Sequence, residues 1–210
     1  MAVMGEALGS GGSGGGQHRS AIIAAAIEIT GDEGWSAVTM ARLADTVGVS
    51  RQTVYNEVGS KPGLAEAMVA HEADRFLGVV RGAFGRHPGD LPEAIHDAAR
   101  DVLDLASGNA LVRAVVAATP GADTEFLPLL TTRGDTLVAE AAKVLAEHVR
   151  AYRTRLTDEQ TDVLVDTLVR TVLSHIVQPC RTPAQTADGL AWLTARLLDE
   201  GPSPTPLRYR

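Results

Sequence analysis

Cysteine is nearly absent from this chain. Cys180 is the only one in 210 residues, so no intramolecular disulfide can form. Burial and hydrogen bonding must hold the fold. Aromatic residues make up only 4%, which leaves a core of Ala, Val, Leu and Ile. Lysine is as scarce: Lys61 and Lys143 are the only two among 19 basic residues. No apolar run approaches the roughly 20 residues that cross a bilayer. Residues 1–17 carry Gly and Ser where a signal peptide has its apolar core. The expectation is a cytoplasmic protein with no membrane partner. A nucleophile elbow, a P-loop and a dinucleotide fingerprint are also missing, and no His, Cys or carboxylate set has metal-ligand spacing. Neither an enzyme, a cofactor nor a metal site is expected.

Strand-type alternation is lacking too, while Ala- and Leu-rich stretches dominate. That pattern predicts an all-α fold of about nine helices. Residues 1–17 read as a flexible Gly-rich tail, because GSGGSGGG at 9–16 cannot hold regular structure. Residues 18–64 read as a small helical domain, 65–201 as a larger one, and 202–210 as a second flexible tail. Local signals mark the helix ends. Gly34, Gly48, Gly59 and Gly201 stop helices, while Thr39, Ser50, Ser60, Asp90, Thr157 and Thr182 start them. Asn109–Ala118 reads as a short helix. Asp123 opens the next segment, with Pro128 either kinking it or marking its start. His71 with Glu72 or Asp74, and His96 with Asp97 or Arg100, read as solvated helix faces.

Net charge is −7, which argues against a broad nucleic-acid surface. The acidity is uneven. Residues 17–65 hold four basic and five acidic groups; residues 66–210 hold 15 and 20. Any DNA contact in the first segment must rest on a few placed side chains and on pairing of two copies.

Residues 39–59 have the parts of a helix-turn-helix. A first helix buries Met40, Leu43, Ala44 and Val47. Gly48 makes the turn, and a second helix runs from Arg51 to Val58. Val49 and Val54 point inward. Ser50, Arg51, Gln52, Thr53, Tyr55 and Asn56 point outward. Arg and Gln can grip purine edges in bidentate fashion, and the Thr53 methyl suits thymine. Tyr55 and Lys61 are better placed for phosphates. The start of the Thr39 helix offers a phosphate its dipole.

Ile22 to Leu64 resembles the DNA-binding domain of the TetR family of bacterial repressors. The residues that carry the likeness are Ala26-Ile27, Gly34-Trp35, Thr39-Met40, Leu43-Ala44, Val47-Gly48-Val49-Ser50, Thr53-Val54-Tyr55 and Gly59-Ser60-Lys61 with Leu64. Thr30 and Val58 depart from it, each standing where the family often has Phe. The resemblance implies that Thr39, Tyr55 and Lys61 touch phosphates and that Arg51, Gln52, Thr53 and Asn56 face bases. It also implies a ligand-responsive homodimer on a palindromic double-stranded operator, most often as a repressor. The last two helices are the candidate dimer surface, through Val165, Leu168, Val169, Val172 and Ile176 with Leu190, Trp192, Leu193 and Leu197. A pocket for a small lipophilic effector is expected among Phe84, Leu105, Val115, Phe126, Leu130 and His175.

Overall fold

A computed structural model of the chain describes residues 14–117 and 127–199. It holds nine α-helices and one short 3₁₀ turn, and no strand among the described residues. The expected helix start at Asp123, the residue Phe126, residues 1–13 of the expected first tail and the whole of the second tail lie outside the described residues. The chain divides into two compact units, Met1–Val69 and Ala70–Arg210. The division falls inside one helix, about a turn after the expected 64/65 boundary.

The first unit starts with α1 (Gly14–Glu33). This helix begins a few residues earlier than the sequence suggests, within the glycine run. Ile22, Ala26 and Ile29 lie one turn apart and are buried, as are Ile23 and Ile27. Thr30 shares this face. Its hydroxyl donates to the Ala26 carbonyl at 2.6 Å, so a polar residue is buried with its hydrogen bond made. Gly34 follows with φ 86° and ψ 165°. That is a positive φ but not the left-handed helical cap expected. It turns the chain into the 3₁₀ segment Trp35–Ala37, where Trp35 is buried as anticipated.

Next come α2 (Met40–Val47), α3 (Arg51–Val58) and α4 (Lys61–Arg86). Leu43, Val54 and Leu64, one from each, are fully covered. Each contributes about 1.5–3 kcal/mol through burial. The Ser60 hydroxyl accepts from the Gly63 amide at 3.2 Å and starts α4.

The second unit takes α4 from Ala70 and adds α5 (Leu91–Gly108), α6 (Ala110–Ala117), α7 (Leu127–Ala151), α8 (Asp158–Val177) and α9 (Pro183–Asp199). Pro128 is the second described residue of α7, and the residues before Leu127 lie outside the described ones. Thr157 and Gln160 form a reciprocal capping box at α8, and Thr182 with Gln185 repeats it at α9. Helix α5 packs on α8 and α9, and α7 packs on α8.

The core of this unit corrects several expectations. Phe84 is buried edge-on to the rings of His148 and Tyr152, at 5.1 and 5.9 Å. It is packing, not pocket. Val165, Leu168 and Leu190 are also buried inside this one chain, so they have no surface left for a second subunit. Val169 and Val172 pack partly against the same core.

Two pairings read as solvated faces are structural instead. Glu72 is buried, bonded to Arg75 and to the side-chain amide of Asn109. Asp97 joins the end of α4 to α5. It accepts from His87 at 2.9 Å, from His96 at 3.2 Å and from Arg86 at 3.1 Å. These partners, His87 foremost, hold its carboxyl well below the usual range. His96 also reaches Asp188 on α9, at 3.3 Å.

Candidate nucleic-acid interface

The reading helix is α3, and what makes it a reader is how its two sides divide. Val54 and Val58 are buried, so the helix is fixed by one edge. Arg51, Gln52, Tyr55 and Asn56 are exposed on the other, with Tyr55 at 49%. Thr53 is half-buried. Its backbone amide donates to the Ser50 side chain at 3.0 Å and its hydroxyl lies 2.9 Å from the same oxygen. Ser50 therefore spends its side chain on starting the helix. It stays exposed, as expected of an outward position.

The Gln52 amide donates to Asn56 Oδ1 at 2.9 Å, one turn along. That bond aligns two amides whose free ends can still pair with a base edge. Arg51 makes no ion pair among the described residues and keeps its guanidinium free for a guanine or a phosphate.

The supporting parts are in place. Thr39 accepts from the Arg42 amide at 3.1 Å and opens α2, leaving further N–H groups of that turn open. Gly48 ends α2 in the left-handed conformation, φ 75° and ψ 36°, as a short turn between crossed helices requires. Lys61 is half-buried, with its ammonium 4.8 Å from the centre of the Trp35 ring.

Three fixings were not foreseen from sequence. Arg42 clamps Glu33 with two hydrogen bonds, one of 2.8 Å. This lowers the Glu33 carboxyl and raises the arginine. The Arg19 side chain caps the end of α3 through the Glu57 carbonyl. Gly63 has Val58 O so close that a Cβ would sit 2.6 Å from it. A single sequence carries no sign of such tertiary contacts.

Comparison with known proteins agrees with this geometry. Residues 22–68 match the family model for bacterial regulatory proteins of the tetR family, and residues 90–196 match the bacterial tetracyclin repressor C-terminal domain. The chain is 31% identical over 159 residues to the HTH-type transcriptional regulator AlkX of Mycobacterium tuberculosis, covering 76% of this chain and 74% of that one. This chain belongs to the TetR family of transcriptional regulators. Among solved structures, the TetR family repressor AlkX from Dietzia sp. strain DQ12-45-1b is also 31% identical. It matches 85% of this chain and 96% of its own, with TM-score 0.67. A TetR-family regulator from Mesorhizobium loti shares the fold at 14% identity, with TM-score 0.65 and coverage of 88% and 98%. Family and relatives are regulators, not enzymes.

The second unit of this TetR-family regulator has a cleft of about 430 Å³. Leu103, Val112, Val116, Ile176 and Pro179 make its apolar wall, and Arg113, His175 and Arg181 supply polar groups. Of the six residues expected in a pocket, three have described side chains, Phe84, Leu105 and His175, and among these only His175 lines it. Leu105 is half-buried outside the lining. The side chains of Val115 and Leu130 lie outside the described residues, as does Phe126. On α8 and α9, Ile176 belongs to the cleft and Leu193 is half-buried. Trp192 and Leu197 are exposed, and so are Val163, Leu173 and Val177, which the sequence pattern did not select.

His87, Glu93 and Asp97 bring ligand atoms within 4.8 Å of one another, a spacing that a cation could bridge. The Arg86 guanidinium on the same Asp97 carboxylate opposes that use. No helix among the described residues is long and apolar enough to cross a membrane.

Proposed function

We propose that this TetR-family regulator is a homodimeric repressor. It reads a palindromic operator through α3 and leaves it when a small, largely apolar effector binds the second unit. The observation that carries this is the two-sided α3: a buried Val54–Val58 edge behind exposed Arg51, Gln52, Tyr55 and Asn56. Thr39 and Lys61 are assigned to phosphates beside it.

The charge count supports pairing. A reading unit with one more acid than base has little non-specific attraction for DNA. Two copies on a two-fold site double the specific contacts. The exposed apolar residues Val163, Leu173, Val177, Trp192 and Leu197 on α8 and α9 are the surface proposed for that pairing. The cleft with its apolar wall is the proposed effector site. The Dietzia relative is a repressor implicated in biodegradation of n-alkanes, which accords with an apolar effector. Effector binding would then shift the population away from the DNA-competent state.

Selection of bound DNA from a random pool, followed by mobility shift at fixed salt, tests this. A palindromic site should emerge. Arg51→Ala and Tyr55→Ala should each weaken binding by about tenfold or more, since one good base or phosphate contact contributes roughly 1–3 kcal/mol. Binding unchanged in both variants would make the chain an interaction protein that has kept the fold without its reading role.

A further inference from the structure

Among the described residues, the cleft of the second unit carries charge of one sign only. Arg113 on α6 and Arg181 between α8 and α9 both line it, with His175 and Ser107 as the other polar side chains. No Asp or Glu is among the described lining residues. In a chain with 26 acidic and 19 basic residues, two arginines on one cleft with no carboxylate is an unusual local balance. Neither arginine forms an ion pair among the described residues. Arg113 donates once, to the Gly108 carbonyl at 3.0 Å, which leaves most of its guanidinium unspent. The rest of the wall, Leu103, Val112, Val116 and Ile176, is apolar.

We infer that the ligand of this cleft is an amphipathic anion: an apolar body of medium length that ends in one carboxylate or phosphate held by Arg113 and Arg181. The inference rests on the effector reading above and sharpens it from "apolar" to a stated head group. Guanidinium pairs with both acids in two-pronged fashion, while an alcohol would leave the arginines without a charged partner. A cleft of about 430 Å³ is within the usual size of a small-ligand site.

The chain supplies its own reporter. Cys180 is its single thiol, it is exposed, and Pro179 and Arg181 on either side of it line the cleft. Its sulfur is 3.4 Å from His175 Nε2. His175 Nδ1 donates to the Thr171 carbonyl at 2.8 Å, which fixes the ring. A head group on Arg181 should shield this thiol.

The test uses the full chain with decanoate, decyl phosphate, decanol and decyltrimethylammonium, each below its micelle concentration. Affinity is read by calorimetry. Access is read by the rate at which Cys180 reacts with the neutral reagent 4,4′-dithiodipyridine. We expect at least one of the two anions to bind about tenfold tighter than decanol or better, the cation not to bind, and that anion to slow the thiol reaction severalfold. Which anion binds tighter tells carboxylate from phosphate. Arg113→Ala with Arg181→Ala should collapse the anion-to-decanol ratio towards one, and the Arg→Lys pair should restore part of it. Equal binding of decanol, a ratio that survives loss of both arginines, or an anion that binds without slowing Cys180 would each overturn the proposal. Operator release is scored separately. Anion binding without release would sink the regulatory reading and leave this one standing, whereas release by decanol or the cation as readily as by the anions would do the reverse.

Discussion

Glu72, buried on α4, accepts a hydrogen bond from the side-chain amide of Asn109, the residue that caps α6. The same Asn109 accepts from the Val112 amide at 2.9 Å with its other side-chain atom. Arg75 balances the carboxylate at 2.9 and 3.0 Å. One asparagine thus starts α6 and ties it to α4. Asn109→Ala should cost roughly 2–4 kcal/mol in urea unfolding. About 0.5–2 of that is the lost cap, and about 1–3 comes from a buried carboxylate short of a partner. Glu72→Gln should cost less, because its carbonyl oxygen still accepts. A loss below about 0.5 kcal/mol for Asn109→Ala would show that the contact does not hold the two helices.

Gly63 sets two local effects against each other. Helix propensity alone favours Ala over Gly by about 1 kcal/mol. The Cβ, however, would stand 2.6 Å from Val58 O, which is backbone and cannot swing away. Overpacking of this kind costs about 1–3 kcal/mol. Gly63→Ala should therefore lower the melting temperature and weaken operator binding by displacing α3. A rise in thermal stability would mean that the backbone yields at no cost.

Acid should loosen the second unit through Asp97. Its carboxyl lies well below the ordinary range in the folded chain, with His87 as the largest cause and His96 and Arg86 also contributing. A group whose folded pKa is depressed stabilises the fold above its unfolded pKa, and that stability is lost as pH falls from there. The loss should begin near pH 4, the ordinary range of an aspartate, and grow as pH falls further. Urea midpoints measured along that range should fall less steeply for Asp97→Asn than for the parent chain. Parallel slopes would assign the acid sensitivity to other carboxylates.

The two kinds of apolar residue on α8 and α9 should respond differently. Trp192 is 62% exposed, so Trp192→Glu should leave folding intact and raise the monomer fraction in sedimentation velocity. Leu168 is 3% exposed within one chain, so Leu168→Ala should cost about 2–5 kcal/mol of stability. A dimer indifferent to Trp192→Glu would place the interface elsewhere.

Helix ends were the most legible part of the fold. Thr39, Ser50, Thr157 and Thr182 all start helices where their hydroxyls predict, because a cap is satisfied within three or four residues of chain. The reading helix was legible for the same reason: its buried valines and exposed polar residues follow a local period. Ser50 is exposed at the start of the helix and caps it, because one hydroxyl can serve the cap from an outward position. The apolar stripe of α8 misled. Val165, Leu168 and Val172 have the spacing of an interface, and the spacing of a core is identical.

The sequence by itself determined an all-α chain, the capped starts of α2, α3, α8 and α9, and a helix-turn-helix with Arg51, Gln52, Tyr55 and Asn56 on its outer side. All of these depend on interactions a few residues apart. Only the tertiary structure decided that Phe84, Leu168 and Leu190 are core, that Glu72 holds Asn109, and that Arg113, His175 and Arg181 share one cleft. These depend on contacts between residues that can be dozens of positions apart, such as the 37 between Glu72 and Asn109. Periodicity shows which face of a helix is apolar, but the packing of the whole chain determines what that face meets.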